Sequence, residues 1–240
     1  MRSPNKVEKL AYLYGPTYYT PKVKMCGISK VETIPAVVEA KPDYMGLVFA
    51  PSKRQVTVNQ AKILVEELHR GYAKKYGSDT EYDKNDTIKT VGVFVNETVD
   101  NLVTIANEAN LDAVQLHGDE DETFIQSLKE RTNVEVWKAV QIRTAADAEK
   151  WIDSSADMLL FDAYHKDERG GTGEVFDWSS LDAFERPFML AGGIDSTNVA
   201  RAIRTVRPYG IDISSGIETN GVKDDEKITA FTKIVKSIGR

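Results

Sequence analysis

The chain has 240 residues, 41% hydrophobic and 28% charged, with a net charge of −6 and one cysteine. Such a length buries a large core as one α/β domain or as two smaller ones, and the acidic balance argues against non-specific nucleic-acid binding, which needs a basic footprint. No apolar run approaches the roughly 18 residues of a membrane-crossing helix, and a lone cysteine forms no intrachain disulfide, in keeping with a reducing, cytoplasmic setting.

Residues 1–21 are rich in tyrosine, proline and charge and lack the apolar stretch of a secretory signal; they read as an N-terminal extension, expected to cover the bottom of the domain formed by residues 22–240. From there, short β-type runs recur in order: "KVKMC", "YMGLVF", "TVGVFV", "DAVQLH", "VEVWKAVQI", "DMLLFD", "PFMLAGG" and "GIDISSG". Stretches with helical spacing begin near Lys30, Val58, Thr98, Glu120, Thr144, Trp178, Ser196 and Asp224, several at capping residues. Most runs start about 22 to 24 residues apart, one strand, one helix and two short loops. Two gaps are longer. "RGYAKKYGSDTEYDKND", residues 70–86, reads as an exposed extension of the second helix or a surface insertion. "AYHKDERGGTGEVFD", residues 163–177, is long and glycine-rich, as functional lids often are. Eight alternating units with no early "GxGxxG" turn favour a single (β/α)8 TIM barrel over a doubly wound sheet. In a barrel the site lies at the C-terminal strand ends, with phosphate held after strands seven and eight.

Those ends carry chemistry. Cys26 closes the first run and Asp162 the sixth, a thiol and a carboxyl that can converge across one mouth as base and acid; alone, the first reads more often as packing and the second about equally as a turn residue. "LAGGI" supplies Gly192 and Gly193, and "ISSGIE" supplies Ser214, Ser215 and Gly216. Such turns let backbone approach an anion, and "GGTG", with Gly171 and Gly173, is placed to fold over it. Arg54, after the second run, has the forked donor geometry that suits a carboxylate, whereas Lys53 offers only a point charge. Gln115 and His117 stand at the fourth strand end without an assigned catalytic role. Asp212 alternates with the apolar residues of the eighth run, and an inward aspartate needs partners.

Together "KVKMCGIS", "YMGLVFAPSKRQVT", "VGVFVN", "DAVQLHG", "LLFDA", "GGTGEVFDW", "LAGGIDSTNV" and "IDISSGIE" resemble the phosphoribosylanthranilate isomerase family of tryptophan biosynthesis, over nearly all of Lys22 to Arg240. The resemblance implies a barrel enzyme without metal or cofactor. Its reaction would be the Amadori rearrangement of N-(5-phosphoribosyl)anthranilate to 1-(2-carboxyphenylamino)-1-deoxyribulose 5-phosphate. It also implies roles: Cys26 as general base, Asp162 as general acid, Arg54 on the anthranilate carboxylate, and Gly171, Gly173, Gly192, Gly193, Ser214, Ser215 and Gly216 on the phosphate. Asp212 matches a further polar site position. The implied partner is a small phosphorylated substrate, with no nucleic acid or membrane, for a monomer or homodimer. Two alternatives stand beside it. One is the related histidine-pathway isomerase, which uses an aspartate where Cys26 stands and needs a second phosphate site. The other is a barrel that binds a phosphorylated ligand without turning it over.

Overall fold

The computed structural model describes residues 20–77, 87–163 and 177–238. Eight parallel strands close into a barrel in sequence order: β1 (Lys22–Cys26), β2 (Tyr44–Val48), β3 (Lys89–Phe94), β4 (Ala113–Leu116), β5 (Glu135–Ile142), β6 (Met158–Ala163), β7 (Phe188–Ala191) and β8 (Gly210–Ile213). The crossovers carry α1 (Ile34–Ala40), α2 (Val58–Tyr76), α3 (Val99–Glu108), α4 (Glu122–Lys129), α5 (Ala145–Glu149) and α6 (Val199–Val206), and α7 (Asp225–Ile238) follows β8.

Each strand is covered on both faces, as parallel strands require. Side chains alternate, so one set fills the barrel: Tyr44, Val91, Ala113, Trp137, Leu160 and Met189, with Tyr44 and Trp137 packed edge to face. The other set, including Met45, Phe94, Leu159, Phe188 and Ile211, meets Leu64, Leu102, Leu128, Ile203 and Phe231 of the helices. Capping residues set several helix starts. Thr57 and Gln60 form a reciprocal capping box on α2, and the side chains of Thr98 and Asp121 accept from Asn101 N and Phe124 N. At the N-terminal side the strands are tied by polar pairs: Lys22 to Asp43 at 2.8 Å, Lys89 to Glu135 at 3.1 Å, and the hydroxyls of Tyr44 and Tyr209 at 3.3 Å.

Three features differ from the sequence expectation. Among the described residues, the helix expected near Trp178 is only a 3-10 turn, Trp178–Leu181, that buries Trp178 and Leu181; Asp177 caps it and Pro187 follows closely. The stretch from Arg70 to Tyr76 continues α2 but is not merely exposed, since Tyr72 is buried and the Tyr76 hydroxyl donates to Val38 O at 3.1 Å. Lys41 lies over both rings. Finally, a small hairpin follows β8: β9 (Glu218–Thr219) and β10 (Val222–Lys223) turn at Asn220 and Gly221, both with positive φ. The tyrosine-rich extension up to residue 19, the remainder of the charged insertion (78–86) and the glycine-rich loop carrying Gly171 and Gly173 lie outside the described residues.

Candidate active site

The C-terminal ends of the strands bring most of the expected residues to one mouth. Pairing of Cys26 with Gly46, and of Lys24 with Asp212 and Tyr44, fixes which β1 side chains point inward: Lys24 and Cys26 stand two apart on the same face. The thiol is buried at the base of the mouth, against the glycine of β2. A Cβ on Gly46 would lie 2.9 Å from Cys26 Sγ and 3.0 Å from its Cα, so any side chain there displaces the thiol. Gly46→Ala is accordingly expected to cost about 1–3 kcal/mol of stability by overpacking and to lower activity more than tenfold by moving the sulfur, checked by thermal unfolding beside steady-state kinetics.

Burial pushes the Cys26 thiol up, and Asp212 adds to that, against the opposing pull of Lys24 and Lys223. In the absence of ligand the group is therefore held as a thiol. Gly27, with φ of 78°, makes the turn after Cys26, and a Cβ there would run into the Arg54 side chain. The β1 turn and the loop after β2 thus fit together only around a glycine.

Arg54 offers its Nε and Nη2 to Glu218 of β9, at 2.5 and 2.9 Å. Lys223 donates to the same carboxylate at 3.0 Å and to Ser214 O at 2.8 Å, and Lys53 reaches Glu218 at 3.3 Å. Burial opposes the charge on Glu218, but Arg54 and Lys223 overcome it and hold the carboxyl down at about 2. Glu218 uses one edge of the Arg54 guanidinium, and Nη1 has no partner among the described residues. Ser214 Oγ donates to Cys26 O at 3.2 Å, locking the end of β8 to the end of β1.

On the other side of the mouth, β6 delivers Asp162, whose side chain is one-third exposed at 33%. Going round the barrel from β1, β8 and β7 intervene before β6, which leaves the mouth between thiol and carboxyl. Asp162 Oδ2 lies 3.3 Å from His117 Nε2, and His117 Nδ1 lies 3.0 Å from Gln115 Nε2. Gln115, His117 and Asp162 thus form one continuous chain of polar contacts at this side of the mouth.

The glycine turns form the third wall. Gly192 and Gly193 both have positive φ, 89° and 59°, and Asn198 Nδ2 donates to Gly193 O at 2.8 Å. A Cβ on Gly216 would strike Ile194 O, so the loops after β7 and β8 pack backbone against backbone. Ser215 opens a 3-10 turn, Ser215–Ile217, beside that contact.

Asp212 does not stand at the rim. It pairs with Lys24 at 3.1 Å inside the barrel, and its Oδ1 has no partner among the described residues. Sequence reasoning passed over Lys24, Glu218 and Lys223. The period-2 alternation of "KVKMC" puts Lys24 on the face of Cys26 but does not show its partner, and the "NG" of "ETNGVK" marks the hairpin that carries the other two.

Residues 23–234 match the family model described as N-(5'phosphoribosyl)anthranilate (PRA) isomerase. The chain is 43% identical over 218 residues to an N-(5'-phosphoribosyl)anthranilate isomerase of Endomicrobium trichonymphae, covering 91% of this chain and 100% of that one. It is 45% identical to the protein so named from Thermoanaerobacter sp. (strain X514), over 90% of this chain and 98% of the other. Among solved structures, phosphoribosyl anthranilate isomerase from Thermotoga maritima superposes with a TM-score of 0.75 at 33% identity, covering 90% and 99% of the two chains. A further isomerase structure, in complex with reduced 1-(o-carboxyphenylamino)-1-deoxyribulose 5-phosphate, gives 0.72 at 32% identity over 90% of this chain and 99% of the other.

Proposed function

The chain belongs to the N-(5'-phosphoribosyl)anthranilate isomerase family, and on that premise we propose how its own residues carry the rearrangement of N-(5-phosphoribosyl)anthranilate to 1-(2-carboxyphenylamino)-1-deoxyribulose 5-phosphate in tryptophan biosynthesis. The observation that carries the assignment is the pairing, across one barrel mouth, of a buried strand-end thiol with a partly exposed strand-end carboxyl. Asp162 gives a proton to the ring oxygen as the C1–O bond breaks, and the anthranilate nitrogen lone pair forms the iminium. Cys26 takes the proton from C2, and the C–H electron pair moves into the C1–C2 bond to give the enolamine. C1 then gains a proton as the C2 hydroxyl loses its own, which completes the ketone without net change in protons.

A thiol cannot accept that proton, so Cys26 acts as the thiolate, its own proton having passed to solvent; burial opposes that form and the cationic iminium favours it. The free edge of Arg54 receives the anthranilate carboxylate. Gly192, Gly193, Ser214, Ser215 and Gly216 receive the phosphate, and Gly171 and Gly173 are assigned to the same anion by their motif. Asp212, with one oxygen unpartnered, is assigned to a substrate hydroxyl. No helix among the described residues is long and apolar enough to cross a membrane, and the proposed setting is the cytoplasm. A solved Thermotoga maritima relative is described as dimeric, and for this chain a monomer or homodimer is proposed.

The test is turnover of phosphoribosylanthranilate generated in situ, followed by loss of its fluorescence; a folded chain that binds a product analogue but converts nothing would favour the non-catalytic alternative. Glu218 gives a more specific expectation. Glu218→Gln keeps the shape but loosens the grip on Arg54, so KM rises about tenfold with kcat little changed. Its titration has a defined sign: with the folded value below the usual 4.5, the stability it contributes is fully present above that pH and is lost as pH falls through about 2. Acid unfolding curves of the variant should be flatter across that interval, and identical curves would remove Glu218 from the linkage.

A further inference from the structure

Lys24 is a charged side chain with 0% exposure inside the barrel, directly below the thiol. Burying an ammonium is costly unless it is paired, and even a paired one is seldom more stabilising than apolar side chains filling the same space. Its partner Asp212 stands opposite in the β1–β8 register and meets it at 3.1 Å, but uses one oxygen only and leaves Oδ1 buried without a partner among the described residues. Packing alone would be better served by a larger apolar neighbour. What the pair adds is a fixed positive charge two residues from Cys26 on the same inward face, where that charge favours the thiolate. Among the described residues, the charged groups facing the sulfur are Lys24 from its own strand, Asp212 from β8, Lys223 from β10 and Arg54 from the loop after β2. Of the cations, Lys223 and Arg54 are bound to Glu218, so Lys24 is the one whose anchor lies in the barrel interior.

We propose that Lys24 is a positioning residue for Cys26: its buried ammonium, anchored by Asp212, is a built-in counter-charge that readies the sulfur as a base before and during proton removal. The inference rests on Cys26 being the base. Lys24 transfers no proton. When the C2–H bond breaks and the S–H bond forms, the negative charge leaves the sulfur and the ammonium remains held by Asp212.

The test reads the thiolate directly, without turnover. Cys26 is the single cysteine in the chain, so the mass added by iodoacetamide reports that residue alone, and the pH dependence of its rate reports the thiolate. Lys24→Met should slow alkylation at neutral pH by about tenfold and move the whole profile to higher pH, as expected when one close opposite charge is removed. Asp212→Asn, which keeps the ammonium and removes the opposing charge, should speed it and move the profile the other way. The second variant carries the test if the first does not fold. An unmoved profile in Lys24→Met, or a slower reaction in Asp212→Asn, overturns the proposal. Failure of the base assignment looks different: Cys26→Ser would then retain turnover, whatever the alkylation profile shows.

Discussion

Cys26→Ser should lower kcat by about two to four orders of magnitude, the contribution usual for a positioned base, while leaving the circular dichroism spectrum unchanged. Serine fits the space beside Gly46, so the barrel has no reason to rearrange. Its hydroxyl, however, ionises far above the thiol, and no arrangement of Lys24, Lys223 and a transient iminium brings it within reach of neutral pH. The pH profile sharpens the expectation. Since burial holds the wild-type thiol above its ordinary value, the rate of the free enzyme should climb with pH on its acid side as the thiolate fills. In the serine variant that limb should vanish along with most of the rate. Retained turnover would return Cys26 to the core as a small packing residue.

The second large effect is expected at Asp162. Asparagine is close in shape and can still meet His117 Nε2, so the network from Gln115 through His117 survives the exchange. What it lacks is a proton to give to the ring oxygen. Asp162→Asn should therefore lose about two to four orders of magnitude in kcat, with the affinity for a reduced product analogue changed little. Calorimetric titration of that analogue decides between acid and ligand. If affinity falls in parallel with the rate, Asp162 is a binding residue and the acid lies elsewhere.

The barrel itself was legible because every strand is buried on both faces, which writes short apolar runs of regular spacing into the sequence. The residues ending those runs, Cys26, Asp162 and the Gly192–Gly193 pair, follow from the same register. The turn at Trp178–Leu181 was harder to foresee, since Trp178, Leu181 and Phe184 mimic helical spacing over a stretch too short to sustain a helix before Pro187. Arg54 was legible as a candidate, but not the carboxylate that orients it, because Glu218 lies 164 positions away and meets it only once β9 and β10 fold over the mouth. Lys24 was hidden for another reason. A lysine beside a lysine-rich strand start resembles a solvated edge, and only the β8 register reveals the aspartate waiting for it. Tyr72 and Tyr76 likewise sit in a charged stretch whose composition says surface, while Lys41 and Val38 O give both rings a place to pack.

The most direct test of a thiol and carboxyl acting together as an acid–base isomerase is conversion of phosphoribosylanthranilate by the purified wild type and by the Cys26→Ser and Asp162→Asn variants, at matched folded concentrations. The mechanism predicts rapid loss of substrate fluorescence with the wild type and near-background rates with each variant. Equal conversion by all three would contradict it.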